Sequence, residues 1–426
     1  MIRSLIVKGL FGRFNYNVEL KSEGTTIITG PNGFGKSTLL KIIYSISSLS
    51  IQYFFDIQYD VIKLVFDNYS VEIKRENDHI YINDLDITPL KRLTNEYYMY
   101  KRRRSYIRYT PNGYIDIRTG KHVENIEVLP NMLHDDQFWE EYCSYGHNKK
   151  TETLYNEFKE IMLKIECSCG KVKLISEQRL IEESVIDDDI VTSDVVNELP
   201  KSLKRKISTI LDEYSKVSND LDSSYPSRLF ATKVGLENKS EYENLLDKTN
   251  RKFTNLAKYN LVTMGKIAKT GYTKEYSKAL KIYFEDFGKK YQVFEDLVGK
   301  LDLFTRIINS RLQFKEMQVD KEYGFRIFDE KSKVPIELSK LSSGEKQEIV
   351  LFYDLIFDAE KDVLLLIDEP EISLHISWQK MFMDDLLDVS KETGIQSIIA
   401  THSPQIVSRH LNIQIDLGEL YKYGLN

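Results

Sequence analysis

Gly30-Pro-Asn-Gly-Phe-Gly35-Lys36-Ser37-Thr38 is the stretch on which the reading of this chain turns. It fits G-x-x-x-x-G-K-[ST], after a β-branched run, Thr25 to Thr29, and before an apolar-periodic one, Ser37 to Ile46. Each part has a physical task. Glycines let successive backbone N–H groups curl around phosphate oxygens, and the following helix adds the positive end of its dipole. Lys36 brings charge to the β- and γ-phosphates, and Ser37 offers a hydroxyl to Mg2+. Strand, glycine-rich loop and helix in this order predict an α/β nucleotide-binding lobe. Asn32, Gly33, Gly35, Lys36, Ser37 and Thr38 would surround the phosphates, with ATP and Mg2+ as the expected ligands.

Composition limits what surrounds this loop. At ~150 residues per domain, 426 residues amount to about 2.8 domains, ample chain for a large core. A net charge of −6 argues against a surface that is basic all over, so any nucleic-acid contact must be confined to a patch. The three cysteines, Cys143, Cys167 and Cys169, are too few and at the wrong spacing for a disulfide framework or a zinc site, which makes a reducing, cytoplasmic setting the expectation. No apolar run approaches the ~18 residues that span a bilayer.

On either side of the loop the period of the pattern changes. Ser4 to Lys8 reads as a short strand, and Val61 to Phe66, Tyr69 to Lys74 and His79 to Ile82 alternate around turn signals as a β-meander. A second hairpin is expected at Tyr106 to Thr110 and Tyr114 to Arg118, around Pro111-Asn112-Gly113, and both are expected to form one antiparallel subdomain. From about residue 150 the period is helical. Leu154, Phe158, Ile161, Met162 and Ile165 mark one face, and Leu203, Ile207, Ile210, Leu211, Tyr214 and Val217 another. Ser240-Glu-Tyr-Glu243 has the form of a capping box. Leu280, Phe284, Phe287, Tyr291, Phe294, Val298 and Leu301 form a heptad seam, expected in a helical arm or bundle. The acidic stretch Glu182 to Asp189 reads as a solvated loop.

After residue 340 the α/β pattern returns. Val363-Leu-Leu-Leu-Ile367-Asp368-Glu369 is an apolar strand ending in two carboxylates, and ligands sit at the carboxyl ends of parallel strands. Asp368 is placed to hold the Mg2+ shell and Glu369 to polarise the water that attacks the γ-phosphate. Ala400-Thr401-His402-Ser403 puts an imidazole at the end of another strand, within reach of the same phosphate. Leu341-Ser-Ser343-Gly344-Glu345-Lys-Gln347 starts a helix with a second phosphate-binding nest, with Ser343 and Gly344 as donors and Ser343, Gly344 and Glu345 as the expected nucleotide-contacting residues. One lobe has no use for two cradles on one triphosphate unless the second serves a neighbouring subunit. The expected domains are 1–150, a first part of the lobe with its β subdomain; 151–335, an inserted helical arm; and 336–426, the rest of the lobe.

Taken together, the loop at 30–37, the Leu341–Glu345 signature, Asp368-Glu-Pro-Glu371 followed by Ile-Ser-Leu-His375, and Thr401-His402-Ser403 resemble the ABC-type ATPases of the structural-maintenance, Rad50, RecF and OLD group. Leu174-Ile-Ser-Glu-Gln178-Arg-Leu180 and Leu221-Asp-Ser-Ser-Tyr-Pro226-Ser-Arg228 narrow the resemblance to the AAA-15/AAA-21 class of defence ATPases, such as the ATPase of the PARIS antiphage system. The resemblance implies that Gln178 senses the γ-phosphate and Mg2+. It implies a homo-oligomer built from head-to-tail ATP-sandwich dimers, a hexamer included, in which one subunit's signature closes over its neighbour's ATP. It also implies a separately encoded Toprim-type nuclease as effector and a phage-encoded trigger, a DNA mimic among the candidates. DNA is compatible with this scheme but not required by it. The sequence runs only 24 residues past His402, so a fused nuclease is not expected. Lys101-Arg-Arg-Arg104, flanked by Tyr97, Tyr98, Tyr100 and Tyr106, is the one basic and aromatic cluster; it suits DNA phosphates, an acidic protein or simply a charged strand edge. Phe11, Phe14 and Tyr16 are open either to adenine stacking or to core packing, and core packing is favoured for each.

Overall fold

The computed structural model of the chain describes residues 2–21, 24–48, 50, 52–91, 107–110, 113–116, 121–123, 149–175, 181–186, 189–262, 272–358 and 363–423. Five strands run parallel in the order Val172–Ile175, Leu364–Asp368, Gln396–Ala400, Thr25–Thr29, Gln414–Asp416. Ile27, Ile28, Leu365, Leu366, Ile367 and Ile399 are fully buried, which is why these strands read as continuous apolar runs rather than alternating ones. Because neighbouring strands come from residues 25, 364 and 396, the lobe is assembled from distant parts of the chain, as expected for an α/β lobe carrying an insertion.

A second, six-stranded antiparallel sheet has the order Phe14–Glu19, Ile2–Leu10, Val61–Phe66, Ser70–Glu76, His79–Ile82, Leu85–Asp86. The meander is therefore no appendage. Leu5 faces Leu64 and Val7 faces Ile62, so the first strand of the chain is its template. Phe14–Glu19, which the sequence reading did not single out, alternates with Phe14, Tyr16 and Val18 inward. The second hairpin forms as expected around residues 111–112, with Thr110 opposite Gly113. It belongs to a separate three-stranded sheet with Lys121–Val123, not to the meander sheet. The acidic stretch is also a correction: Ile181–Ile186 and Asp189–Asp194 are paired strands rather than a loop. Val185, Ile186, Ile190, Val191 and Thr192 interleave β-branched residues with the acids, and that pattern outweighs the charge.

The chain divides into two compact units, Met1–Ser193 with Ala359–Asn426, and Asp194–Asp358. The boundaries differ from 151 and 336 for packing reasons. The helix Lys149–Cys169 sends Phe158, Met162 and Ile165 into the same core as Leu39 and Ile43 of the helix Lys36–Ser47, and Val172–Ile175 then joins the parallel sheet. At the other boundary, the signature helix Ser343–Tyr353 packs against Val195–Ala231 and Ser277–Asn309. In this helical unit Phe284, Tyr291, Phe294, Val298 and Leu301 of the heptad seam are buried, and Leu297, Phe304 and Ile308 widen the stripe. Ser277–Asn309 uses that stripe against both Val195–Ala231 and Lys239–Lys258, which makes a bundle. The expected capping box at Ser240 is displaced: Asn238 caps Lys239–Lys258 by accepting from the Glu241 N–H, while the Glu241 carboxylate accepts from Glu237 N–H.

Candidate active site

At the amino end of Lys36–Ser47 the chain offers bare backbone. Gly35 occupies the cap at φ 85°, no side chain caps the helix, and its first turn holds no acid, so the orphan N–H groups are left for an anion. A side chain at Gly35 would be strained at that φ and would meet Leu10 at 3.0 Å. Lys36 is buried, and its ammonium donates to the carbonyls of Gly30 at 2.9 Å and Pro31 at 3.4 Å, spanning the loop where phosphates would lie. Asn32 and Gly33 are exposed at the loop tip. Behind the loop, Tyr16 donates its hydroxyl to the Phe34 carbonyl at 2.9 Å, and Phe34 packs on Phe14 and Tyr421. Thr38 hydrogen-bonds Tyr53, whose phenol is pushed up to about 12 chiefly by burial, with the Thr38 bond opposing.

The Ser37 hydroxyl donates to the Asp368 carboxylate at 2.9 Å. Two hard oxygen donors, one from the loop and one from the strand end, are thus already together, and this donor set fits Mg2+ with its remaining positions left to phosphate and water. One residue on, Glu369 sits at φ 42°, a left-handed conformation that a glutamate adopts at a cost of order 1–3 kcal/mol. Its N–H is held by the Ala400 carbonyl at 2.9 Å, so the carboxyl end of the neighbouring strand stabilises the turn. The His402 ring lies alongside, with Nδ1 3.7 Å from Glu369 Oε1, and its side chain is 46% exposed.

Glu371 is the site residue that sequence reasoning missed. It belongs to the Asp368-Glu-Pro-Glu run, but nothing in the run alone separates a buried brace from a second solvated acid. Its Oε1 accepts from Thr401 Oγ1 at 2.6 Å, from the His402 N–H at 2.8 Å and from the Ser403 N–H at 3.1 Å. Ser403 donates its hydroxyl to Gln379 Oε1 at 2.7 Å, and Gln379 Nε2 donates to the Leu374 and Glu371 carbonyls. The turn after one strand and the loop after the next are cross-braced.

Ser343 and Gly344 open the signature helix as expected, with Ser343 exposed. The cap itself is Ser342, in a complete capping box with Glu345. The Glu345 carboxylate is engaged inside the helical unit: it accepts from the Ser342 N–H and hydroxyl and from Lys315 Nζ at 2.7 and 2.9 Å. It shapes the helix terminus rather than facing outward. A turn later, the buried Glu348 pairs with buried Arg311 at 2.5 Å, and the guanidinium lies 4.9 Å from the centre of the Phe352 ring.

Gln178 and the Lys101–Arg104 cluster fall outside the described residues. Phe14 and Tyr16 are core residues, as favoured, whereas Phe11 is 39% exposed beside Gly35. No helix among the described residues is long and apolar enough to cross a membrane.

The family model described as "AAA ATPase domain" (AAA_15) matches residues 1–407. A probable iron chelatin transport ATP-binding protein of Helicobacter pylori is 32% identical over 73 residues, 17% of this chain and 28% of its own length. An uncharacterized ABC transporter ATP-binding protein of Mycobacterium tuberculosis is 37% identical over 78 residues, 18% of this chain and 30% of its own. The chain thus spans under a third of the length of these relatives. Among solved structures, the Smc head domain with an extended coiled coil from Pyrococcus furiosus, bound to the C-terminal domain of ScpA, aligns over 97% of this chain and 92% of its own, at 14% identity and a TM-score of 0.36. The SMC head domain from Thermotoga maritima aligns over 95% and 90%, at 14% identity and a TM-score of 0.34.

Proposed function

The chain belongs to the AAA ATPase domain family, and on that premise we propose that it is an ABC-type ATPase acting as sensor and scaffold in an antiphage defence complex, similar to AriA of the PARIS system. The observation that carries the ATPase part is the Ser37–Asp368 contact beside Glu369 and His402, at the carboxyl ends of adjacent parallel strands. In this reading the N–H groups at 33–38 and the Lys36 ammonium hold the phosphates. Ser37 and Asp368 hold Mg2+, joined by Gln178, and the ion, when bound, neutralises charge on the β- and γ-phosphate oxygens. Glu369 accepts the proton of the attacking water, and His402 contacts the γ-phosphate. Ser343 and Gly344 of a second copy close the site in a head-to-tail ATP sandwich. The strain at Glu369 supports its role, because a non-glycine residue is kept in that conformation only where something requires it.

The defence reading rests on the motif pattern at 174–180, 221–228 and 368–375. In it the helical unit holds a separately encoded Toprim-type nuclease, and a phage-encoded trigger releases it. Co-expression with the Toprim-like frame expected beside the gene should yield a stable complex; the absence of such a frame, or of association, would overturn the scaffold reading. The competing reading is a DNA-repair ATPase of the RecF or Rad50 kind, favoured by the Lys101–Arg104 cluster with its tyrosines. Retention of DNA at moderate salt, abolished by neutralising those four residues, would replace the scaffold with that reading.

A further inference from the structure

Glu371 is buried, its side chain 4% exposed, yet no cation salt-bridges it from Lys or Arg among the described contacts. Desolvating a carboxylate costs several kcal/mol unless donors replace water. Here three converge on a single oxygen, the Thr401 hydroxyl and the backbone N–H groups of His402 and Ser403, and His402 Nδ1 lies 3.1 Å from the same oxygen. The first three shape the loop. The Nδ1 approach, at ion-pair distance, brings in the ring itself. Oε2 is buried and has no hydrogen-bond partner, so the whole compensation runs through Oε1. A carboxylate oxygen can only accept, so this short approach favours a proton on Nδ1 and leaves Nε2 as the nitrogen available to a ligand.

We propose that Glu371 is a positioning residue for ATP hydrolysis: through one buried oxygen it fixes the loop Thr401–Ser403 and holds the His402 imidazole with Nδ1 protonated and Nε2 presented to the γ-phosphate. The proposal rests on the ATPase reading above and deepens it. It is a histidine oriented by an acid that never meets the substrate, the same division of labour that orients metal-binding or general-base histidines through a second partner. Gln379 extends the brace, since it ties Ser403 to the backbone of the Glu371 turn. A change in the conformation of the turn after Glu369 would therefore move the ring.

The test compares Glu371→Gln, His402→Ala and their combination in the full chain, with Lys36→Ala as the background rate. Glutamine keeps an acceptor for the loop donors but removes the charge. Glu371→Gln should lower kcat by about 10–100-fold with KM for ATP little changed. The double variant should be no slower than His402→Ala alone, because the effect runs through the ring. Losses that multiply would show that Glu371 acts independently of His402 and overturn the proposal. Ring 1H–15N correlation spectra of 15N-histidine-labelled protein give a readout that does not need turnover. The signal lost in His402→Ala should report a proton on Nδ1 in the wild type and its redistribution in Glu371→Gln. A wild-type ring protonated on Nε2 alone would refute the positioning role. Wild-type turnover no faster than Lys36→Ala would instead sink the ATPase reading, and the spectra would still decide the position of the ring proton.

Discussion

The two units treat charge in opposite ways. In Met1–Ser193 with Ala359–Asn426, the charged groups of the site lie at strand ends and stay partly open: Glu369 is 27% and His402 46% exposed, and Ser37 already meets Asp368. In Asp194–Asp358 charges pair with one another, at the signature helix and farther along the bundle. Arg311 pairs with Glu348 at 2% exposure each, Lys315 with Glu345, and Arg228 with Asp286 by two bonds at 2.5 and 2.7 Å. The first arrangement keeps groups ready for a ligand and tolerates strain to do so. The second fixes the shape of a helix terminus and leaves its backbone and Ser343 as what it can present.

That contrast can be broken experimentally. The largest effect is expected for Lys36→Ala, which removes the charge spanning the loop. ATP binding by calorimetry and turnover should both fall to background, while the melting of the helical unit stays where it was. Retained binding would mean that the loop amides suffice. Next, Arg311→Ala should destabilise the protein by about 3–5 kcal/mol in urea unfolding, because it strands a buried carboxylate, and Arg311→Met with Glu348→Leu should recover most of the loss. A loss under about 1 kcal/mol would class the pair with surface bridges. The smallest effect concerns Glu345. Burial alone would raise its carboxyl, but Lys315 and the Ser342 N–H and hydroxyl hold it below the ordinary carboxylate value. A depressed folded-state value stabilises the protein above the ordinary carboxylate range, and that stabilisation is lost as pH falls through the lowered value. The Tm advantage of the wild type over Glu345→Gln should thus be present at pH 7 and shrink below about pH 4. An advantage independent of pH would assign it to packing.

Much of this site was legible because its chemistry is written locally. Gly35, Lys36 and Ser37 are adjacent, and Val363 to Glu369 states both the buried strand and the two carboxylates at its end. Glu371 was not legible, since its partners Thr401 to Ser403 come from a different strand and only the parallel pairing of Asp368 with Ala400 brings them together. Glu345 read as a ligand contact because a signature motif advertises its residues equally, whereas Lys315, which engages it, lies 30 residues away. The fold followed the same rule. Apolar runs located the three central parallel strands and helical periods the bundle helices, while the edge strands Val172–Ile175 and Gln414–Asp416 went unread and Glu182 to Asp189 misled because its charge hides its β-branching. The unit boundaries depended on which core Phe158 and Ile349 enter, and no local pattern specifies that.

The central claim is that Glu369 takes the proton of the attacking water in a site built from Lys36, Ser37, Asp368 and His402. Single-turnover hydrolysis of ATP by Glu369→Gln, with binding measured in parallel, tests it most directly. ATP affinity should match the wild type while the hydrolysis rate falls by roughly 100-fold or more, in line with loss of a general base. An unchanged rate with ATP bound would contradict it.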